Sequence, residues 1–176
     1  MDPVAEEVIR SRIRDIPDYP KKGILFKDIT PLLKDRNALA VCINELAKAA
    51  VGLDADYIVG TESRGFIIGA ALAYRLNVGF VPARKQGRLP YDKVSRTYDL
   101  EYGTATLEMH RDAVERGSRV LIVDDLLATG GTARATADLV GDLGGKVTGF
   151  AFVVELAGLG GRERLGGSRV ISLIRY

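Results

Sequence analysis

The chain has 176 residues, 47% apolar and 27% charged, with 25 Lys and Arg against 23 Asp and Glu. These values exclude a disordered chain, a collagen-like repeat and a disulfide scaffold, and a net charge of +2 argues against a chain-wide nucleic-acid footprint. No uninterrupted apolar stretch reaches the ~20 residues of a membrane span. A single cysteine, Cys42, and an N-terminus without an apolar signal core point to the cytoplasm. No linker or repeat divides the chain, so residues 1–176 are expected to form one domain.

Taken in chain order, Ala5, Val8, Ile9, Arg12 and Ile13 have helical spacing over 5–14. Residues 15–36, broken by Pro17, Pro20, Gly23 and Pro31, read as irregular. Asp35 or Asn37 can cap a helix with apolar positions Leu39, Ile43, Leu46, Ala47 and Ala50, beside which Cys42 reads as a small buried hydrophobe. Tyr57, Ile58 and Val59 form a short buried strand ending at Gly60, followed by a helix over 65–76 and a strand over 80–82. Residues 84–103 are polar and read as a loop, whereas 104–109 alternate with period two. The run 118–123 suits a central parallel strand buried on both faces. A helix over about 132–143 and strands over 147–154 and 170–174 complete the pattern. Strand–helix alternation of this kind predicts an α/β fold, a mostly parallel twisted sheet flanked by helices, with an antiparallel excursion around 94–109. Ligands are then expected at the carboxyl ends of the strands.

The sharpest signal follows the central strand. Asp124-Asp125 is succeeded by Ala128, Thr129, Gly130, Gly131 and Thr132, where a helix begins. Two glycines that permit positive φ, hydroxyls from two threonines and the free N–H groups of a new helix make an anion site suited to a phosphate monoester. The loop lacks the Gly-Lys-Ser/Thr ending of a Walker A motif. Two adjacent carboxylates beside such a cradle need partners of their own, either ribose hydroxyls or Mg²⁺. Phosphate and hydroxyls together describe a ribose 5-phosphate.

This stretch resembles the signature of the type I phosphoribosyltransferases. The segment 17–33, containing Gly23-Ile24-Leu25-Phe26-Lys27-Asp28-Ile29, is similar to that of the adenine phosphoribosyltransferases in particular, as are Glu62-Ser63-Arg64-Gly65-Phe66, Arg84-Lys85 and Leu100-Glu101-Tyr102-Gly103. Lys27 stands where many members carry arginine. The resemblance covers nearly the whole chain. It implies phosphoribosyl transfer from phosphoribosyl pyrophosphate to adenine, giving AMP and pyrophosphate, with Mg²⁺ held largely by the substrate, in a homodimer that binds neither nucleic acid nor membrane.

The same resemblance distributes roles. Residues 1–35 become a hood over the base, with Phe26 stacking on the purine and the backbone of Leu25 and Lys27 reading its edge. Glu62, Ser63 and Arg64, with a cis peptide at Glu62–Ser63, would hold pyrophosphate together with Arg84, Lys85 and Arg88. Asp124 and Asp125 would take the ribose, and Ala128, Thr129, Gly130, Gly131 and Thr132 its phosphate. Residues 91–104 would be a mobile lid, with Glu101 helping to deprotonate the purine directly or through water and Tyr102 assisting closure. On residue types alone, 84–88 equally suits a solvated basic loop and Glu101 a surface acid. His110 has no partner motif and is expected at the surface. Two rival readings remain at this stage: the same transfer to hypoxanthine, guanine or xanthine, and a non-catalytic regulator that senses phosphoribosyl pyrophosphate.

Overall fold

The continuous apolar runs of the sequence become neighbouring strands of one sheet. A computed structural model describes residues 1–100 and 103–176. Its larger sheet has strands β3 (Tyr57–Thr61), β4 (Gly79–Lys85), β5 (Lys93–Leu100), β6 (Gly103–His110), β7 (Arg119–Leu127), β8 (Lys146–Glu155) and β9 (Val170–Arg175). They lie in the order β5-β6-β4-β3-β7-β8-β9. From β4 to β9 across the sheet the pairing is parallel, while β5 and β6 form an antiparallel pair added at the β4 edge. The fold is therefore α/β with a mostly parallel sheet, as expected.

Strand alternation divides the core into two layers. Leu121 and Val123 of β7 pack with Ile58, Ile68, Leu72, Cys42 and Leu46 on the side of helices α3 (Arg36–Ala49) and α4 (Arg64–Leu76). Val120 and Ile122 pack with Val59, Phe150, Phe152, Ala135 and Leu139 on the side of α5 (Gly131–Asp142). Asp35 caps α3 by accepting from the N–H groups of Asn37 and Ala38. Cys42 is buried as expected, and burial pushes its thiol up to about 12.

Four expectations are corrected. The first helix, α1, spans Pro3–Arg10 rather than 5–14, because Asp2 caps it at the first turn and, beyond the C-cap Ser11, the N–H groups of Arg12 and Ile13 turn to carbonyls three residues back. Residues 15–36 are not irregular throughout. Strands β1 (Arg14–Pro17) and β2 (Leu25–Asp28) pair antiparallel as a separate two-stranded sheet, followed by the short helix α2 (Thr30–Lys34). Of the expected loop over 84–103, residues 93–100 form β5, whose polar residues find ladder partners on β6 from Lys93↔His110 to Leu100↔Gly103. His110 is half-buried instead of exposed, its ring edge-on to Tyr91 and its Nε2 shielded from solvent. Among the described residues no helix is long and apolar enough to cross a membrane.

Candidate active site

β7 lies between β3 and β8, so the residues beyond its buried run project from the middle of the sheet's carboxyl edge. Asp125 is buried and paired with Nε of Arg64 at the start of α4. Asp124 Oδ1 accepts from the N–H of Asp125 at 2.8 Å. Burial, and then the neighbouring charge of Asp125, push the Asp124 carboxyl well above its ordinary value. The Thr61 hydroxyl is buried beside the Asp124 carboxyl and opposes its upward shift. Gly65 lets the first turn of α4 settle against this group: a Cβ there would lie 2.8 Å from both Asp124 Oδ1 and Thr61 Oγ1.

The junction of β3 and α4 supplies the second wall. The Glu62–Ser63 peptide is cis, as the resemblance implied. Ser63 stands at the N-cap of α4 without a side-chain cap, which leaves the orphan N–H groups of a thirteen-residue helix facing the site. Glu62 lines the site but spends its carboxylate on neighbouring donors. It accepts from Arg84 Nε and Nη2 at 3.3 Å each and from the Lys85 N–H at 3.0 Å. Burial opposes its charge, but these donors outweigh burial and hold the carboxyl below its ordinary value. Arg84 is further fixed to the Arg88 carbonyl at 3.1 Å.

Glu62, Ser63, Arg64, Lys85, Asp124, Asp125 and Leu126 line one cavity of about 450 Å³. Size does not single it out, since a groove of about 610 Å³ beside α3 and β9 is larger. Its convergence of cations, acids and an open helix N-terminus does. Arg88 is exposed and does not line the cavity. The base residues reach it through one contact, with the Arg64 guanidinium 5.1 Å from the centre of the Phe26 ring. Tyr19 packs edge-on against that ring at 5.1 Å. The Lys27 side chain leaves the site altogether and pairs with Asp15 at 2.7 Å.

Across the end of β7, residues 128–130 lead into α5, which also lacks a side-chain cap. The helix begins at Gly131. Of the two glycines that permit positive φ, only Gly130 uses it, at 79°. Gly131 serves close approach instead: a Cβ there would sit 3.1 Å from the Asp99 carbonyl. Thr132 Oγ1 donates to Tyr98 Oη at 3.2 Å, which draws β5 over this loop. Glu101 and Tyr102 lie outside the described residues. Thr61, Tyr98 and Leu126 had not been assigned a role from the sequence. Thr61 immediately precedes the Glu62–Phe66 motif and Tyr98 lies two residues before Leu100, but only the fold brings them to Asp124 and Thr132.

An acid pair near a central strand end, between two uncapped helix N-termini, is an arrangement suited to a ligand that carries both hydroxyls and anionic groups. A family model for the phosphoribosyl transferase domain matches residues 26–169. The chain is 59% identical to the adenine phosphoribosyltransferase of Methylococcus capsulatus over 168 residues, 96% of this chain and 98% of that protein. The crystal structure of adenine phosphoribosyltransferase from Thermoanaerobacter pseudethanolicus superposes with a TM-score of 0.95 at 57% identity, covering 97% of this chain and 99% of that one. The Saccharomyces cerevisiae enzyme, complexed with an imino-altritol bisphosphate and adenine, gives 0.90 at 39% identity, covering 97% and 98%. The chain thus belongs to the phosphoribosyltransferase family, among the adenine phosphoribosyltransferases.

Proposed function

We propose that the protein transfers the 5-phosphoribosyl group of phosphoribosyl pyrophosphate to adenine, giving AMP and pyrophosphate in purine salvage. The observation that carries this is the acid pair Asp124–Asp125 between the α4 and α5 N-termini. The ribose phosphate sits in the loop Ala128, Thr129, Gly130, Gly131 and Thr132, and the ribose hydroxyls donate to Asp124 and Asp125. Ser63, Arg64, Lys85 and the first amides of α4 hold pyrophosphate, while Glu62 keeps Arg84 and the Lys85 backbone in place and Arg88 approaches from the exposed rim. Adenine stacks on Phe26, and a carbonyl and an N–H of residues 25–27 read its edge.

In the reaction the C1–oxygen bond breaks with its electron pair leaving on pyrophosphate. N9 of adenine bonds to C1 from the opposite face, with inversion, and gives up its proton, for which Glu101 is the assigned acceptor, directly or through water. Cations and amides aimed at the leaving oxygens supply most of the rate enhancement, together with alignment of the two reactants. Among the described residues no cluster of three or more His, Cys, Asp or Glu side chains could enclose a metal. The Asp124 and Asp125 carboxylates are hard donors that fit Mg²⁺ when substrate oxygens and water complete its shell. Bound there, Mg²⁺ would offset the charge of the leaving pyrophosphate.

We read residues 1–176 as one domain with 1–35 as a hood over the base, acting as a homodimer in the cytoplasm. The outer face of α4, where Ile67 and Tyr74 are 49% and 90% exposed, supports an interface. Base choice tests the function. A main-chain carbonyl and N–H match the amino donor and N1 acceptor of adenine but oppose the O6 acceptor and N1–H of hypoxanthine. Each mismatched buried group costs ~1–3 kcal/mol, so kcat/KM should favour adenine by about 30-fold to 10⁴-fold. Equal values for the two bases would remove adenine from the assignment.

A further inference from the structure

The base-reading strand β2 belongs to a sheet that shares no strand with the sheet carrying the acids, so something must set the distance between them. Side chains at successive strand positions point to opposite faces. Phe26 faces Arg64, and Lys27 faces the other way, where Asp15 is its directly opposite partner on β1. The Lys27 side chain is almost fully buried, and its Nζ lies 3.8 Å from the centre of the Tyr176 ring. The Arg10 guanidinium lies 5.2 Å from the same ring. Tyr176 is itself fastened to the larger sheet: its N–H donates to the Glu155 carbonyl at 3.0 Å and its carbonyl accepts from Ala157 at 2.9 Å. Glu155 ends β8, the strand paired with β7.

From this we infer that Tyr176 is a positioning residue for the base. Its ring holds the Lys27 ammonium from behind, so that β2 presents Phe26 and its backbone polar groups at a fixed distance from Asp124 and Asp125. The inference rests on the assignment of residues 25–27 to the base. The ammonium end of this contact is buried and the ring is part-exposed, so its loss should raise the adenine KM from about 3-fold to about 10-fold.

The test is steady-state kinetics on Tyr176→Leu, Tyr176→Phe, Lys27→Met and the double variant Tyr176→Leu/Lys27→Met, with Phe26→Ala alongside. Tyr176→Leu and Lys27→Met should each raise KM for adenine by that factor, with KM for phosphoribosyl pyrophosphate within about twofold of the parent. The double variant should be no worse than Lys27→Met, because the Tyr176 contact is already lost there, whereas Tyr176→Leu alone keeps the Lys27–Asp15 pair. Tyr176→Phe, which keeps the ring, should restore the parent value. If Tyr176→Leu does not fold, Lys27→Met set against Tyr176→Phe decides the question. An unchanged adenine KM in Tyr176→Leu or Lys27→Met, beside a raised one in Phe26→Ala, overturns the brace and leaves the base site standing. Unchanged values in all of them, Phe26→Ala included, overturn both. An equal rise in both substrates' KM overturns the brace in favour of general loosening.

Discussion

Neighbouring strands carry acids near their carboxyl ends, half-buried Asp124 on β7 and buried Glu155 on β8, that the protein treats in opposite ways. Glu155, at the end of β8, is 2% exposed and takes Arg162 Nε at 3.0 Å, with Arg175 Nη2 at 3.3 Å. Arg162, joined by Ser172 and Arg175 against the cost of burial, holds that carboxyl below its ordinary value. Asp124, one strand away on β7, has no cation partner among the described residues, and burial, then the second acid beside it, push it upward. Three donor groups around one acid make a joint between β8, β9 and α6 (Gly161–Arg164). Two adjacent acids at the mouth of a cavity, of which Asp125 alone is paired with Arg64, leave acceptor capacity for a ligand. An acid near the carboxyl end, common to both strands, thus serves architecture in one and chemistry in the other, and partner count tells them apart.

The contrast breaks most sharply on activity. Asp125→Ala should lower kcat/KM for phosphoribosyl pyrophosphate by about 10²-fold or more, since buried groups that paired with it are left facing substrate hydroxyls. Circular dichroism should show the fold intact. Gly130→Val should abolish AMP binding by calorimetry: its φ of 79° resists a β-branched residue, and a Cβ would meet the Gly161 carbonyl at 2.7 Å. Parent-like affinity in that variant would contradict the role given to the loop.

Glu155→Gln should act on stability alone. Losing a charge-assisted pair with part-exposed arginines costs about 2 kcal/mol. For a chain of this length that is a fall in Tm of about 4–8 °C, with kcat/KM within about twofold of the parent. A large loss of activity would erase the distinction between the two strand ends.

Asp124→Asn should do the reverse, losing activity while gaining about 1 kcal/mol at neutral pH, or about 2–4 °C in Tm. The pH dependence sharpens this. The folded Asp124 binds its proton more tightly than the unfolded chain does, so its contribution is fully favourable below the ordinary aspartate value, 3.8, and is lost as pH rises through the raised one. The advantage of Asn over Asp should therefore widen with rising pH over that window. For Glu155 the folded carboxyl releases its proton more readily, so its contribution is present above 4.5 and fades as pH falls through the lowered value. The deficit of Glu155→Gln should accordingly shrink in acid. Urea titrations at several pH values measure both slopes, and slopes of the same sign would refute the comparison.

What could be read from the chain follows the same physics. β3, β7 and β8 are runs of Val, Ile and Phe buried on both faces, so composition alone marks them. β1 and β2 escape that reading because ion pairs, not an apolar face, join them: Arg14 with Asp28 at 2.6 Å and Lys27 with Asp15. β5 escapes because its sequence is polar and its order comes from β6 and from Arg96 on Asp142 at 2.6 Å. Within the site, Asp124, Asp125, Ser63, Arg64 and Lys85 were legible as motifs and share one cavity. The bracing role of Glu62 was not, since it depends on Arg84 arriving from β4.

The separateness of the β1–β2 sheet also orders how the molecule comes apart. A two-stranded ribbon has little stability of its own, whereas β7 is flanked by paired strands on both sides. Amide protons of Val120 to Val123 should therefore be among the slowest to exchange with solvent, and those of Leu25 to Asp28 among the fastest of any strand. On the proposed assignment, transient opening would loosen the segment given to the base while the strand bearing Asp124 and Asp125 stays assembled. In such partly opened molecules, the sugar donor would then still find its site after adenine had lost its own.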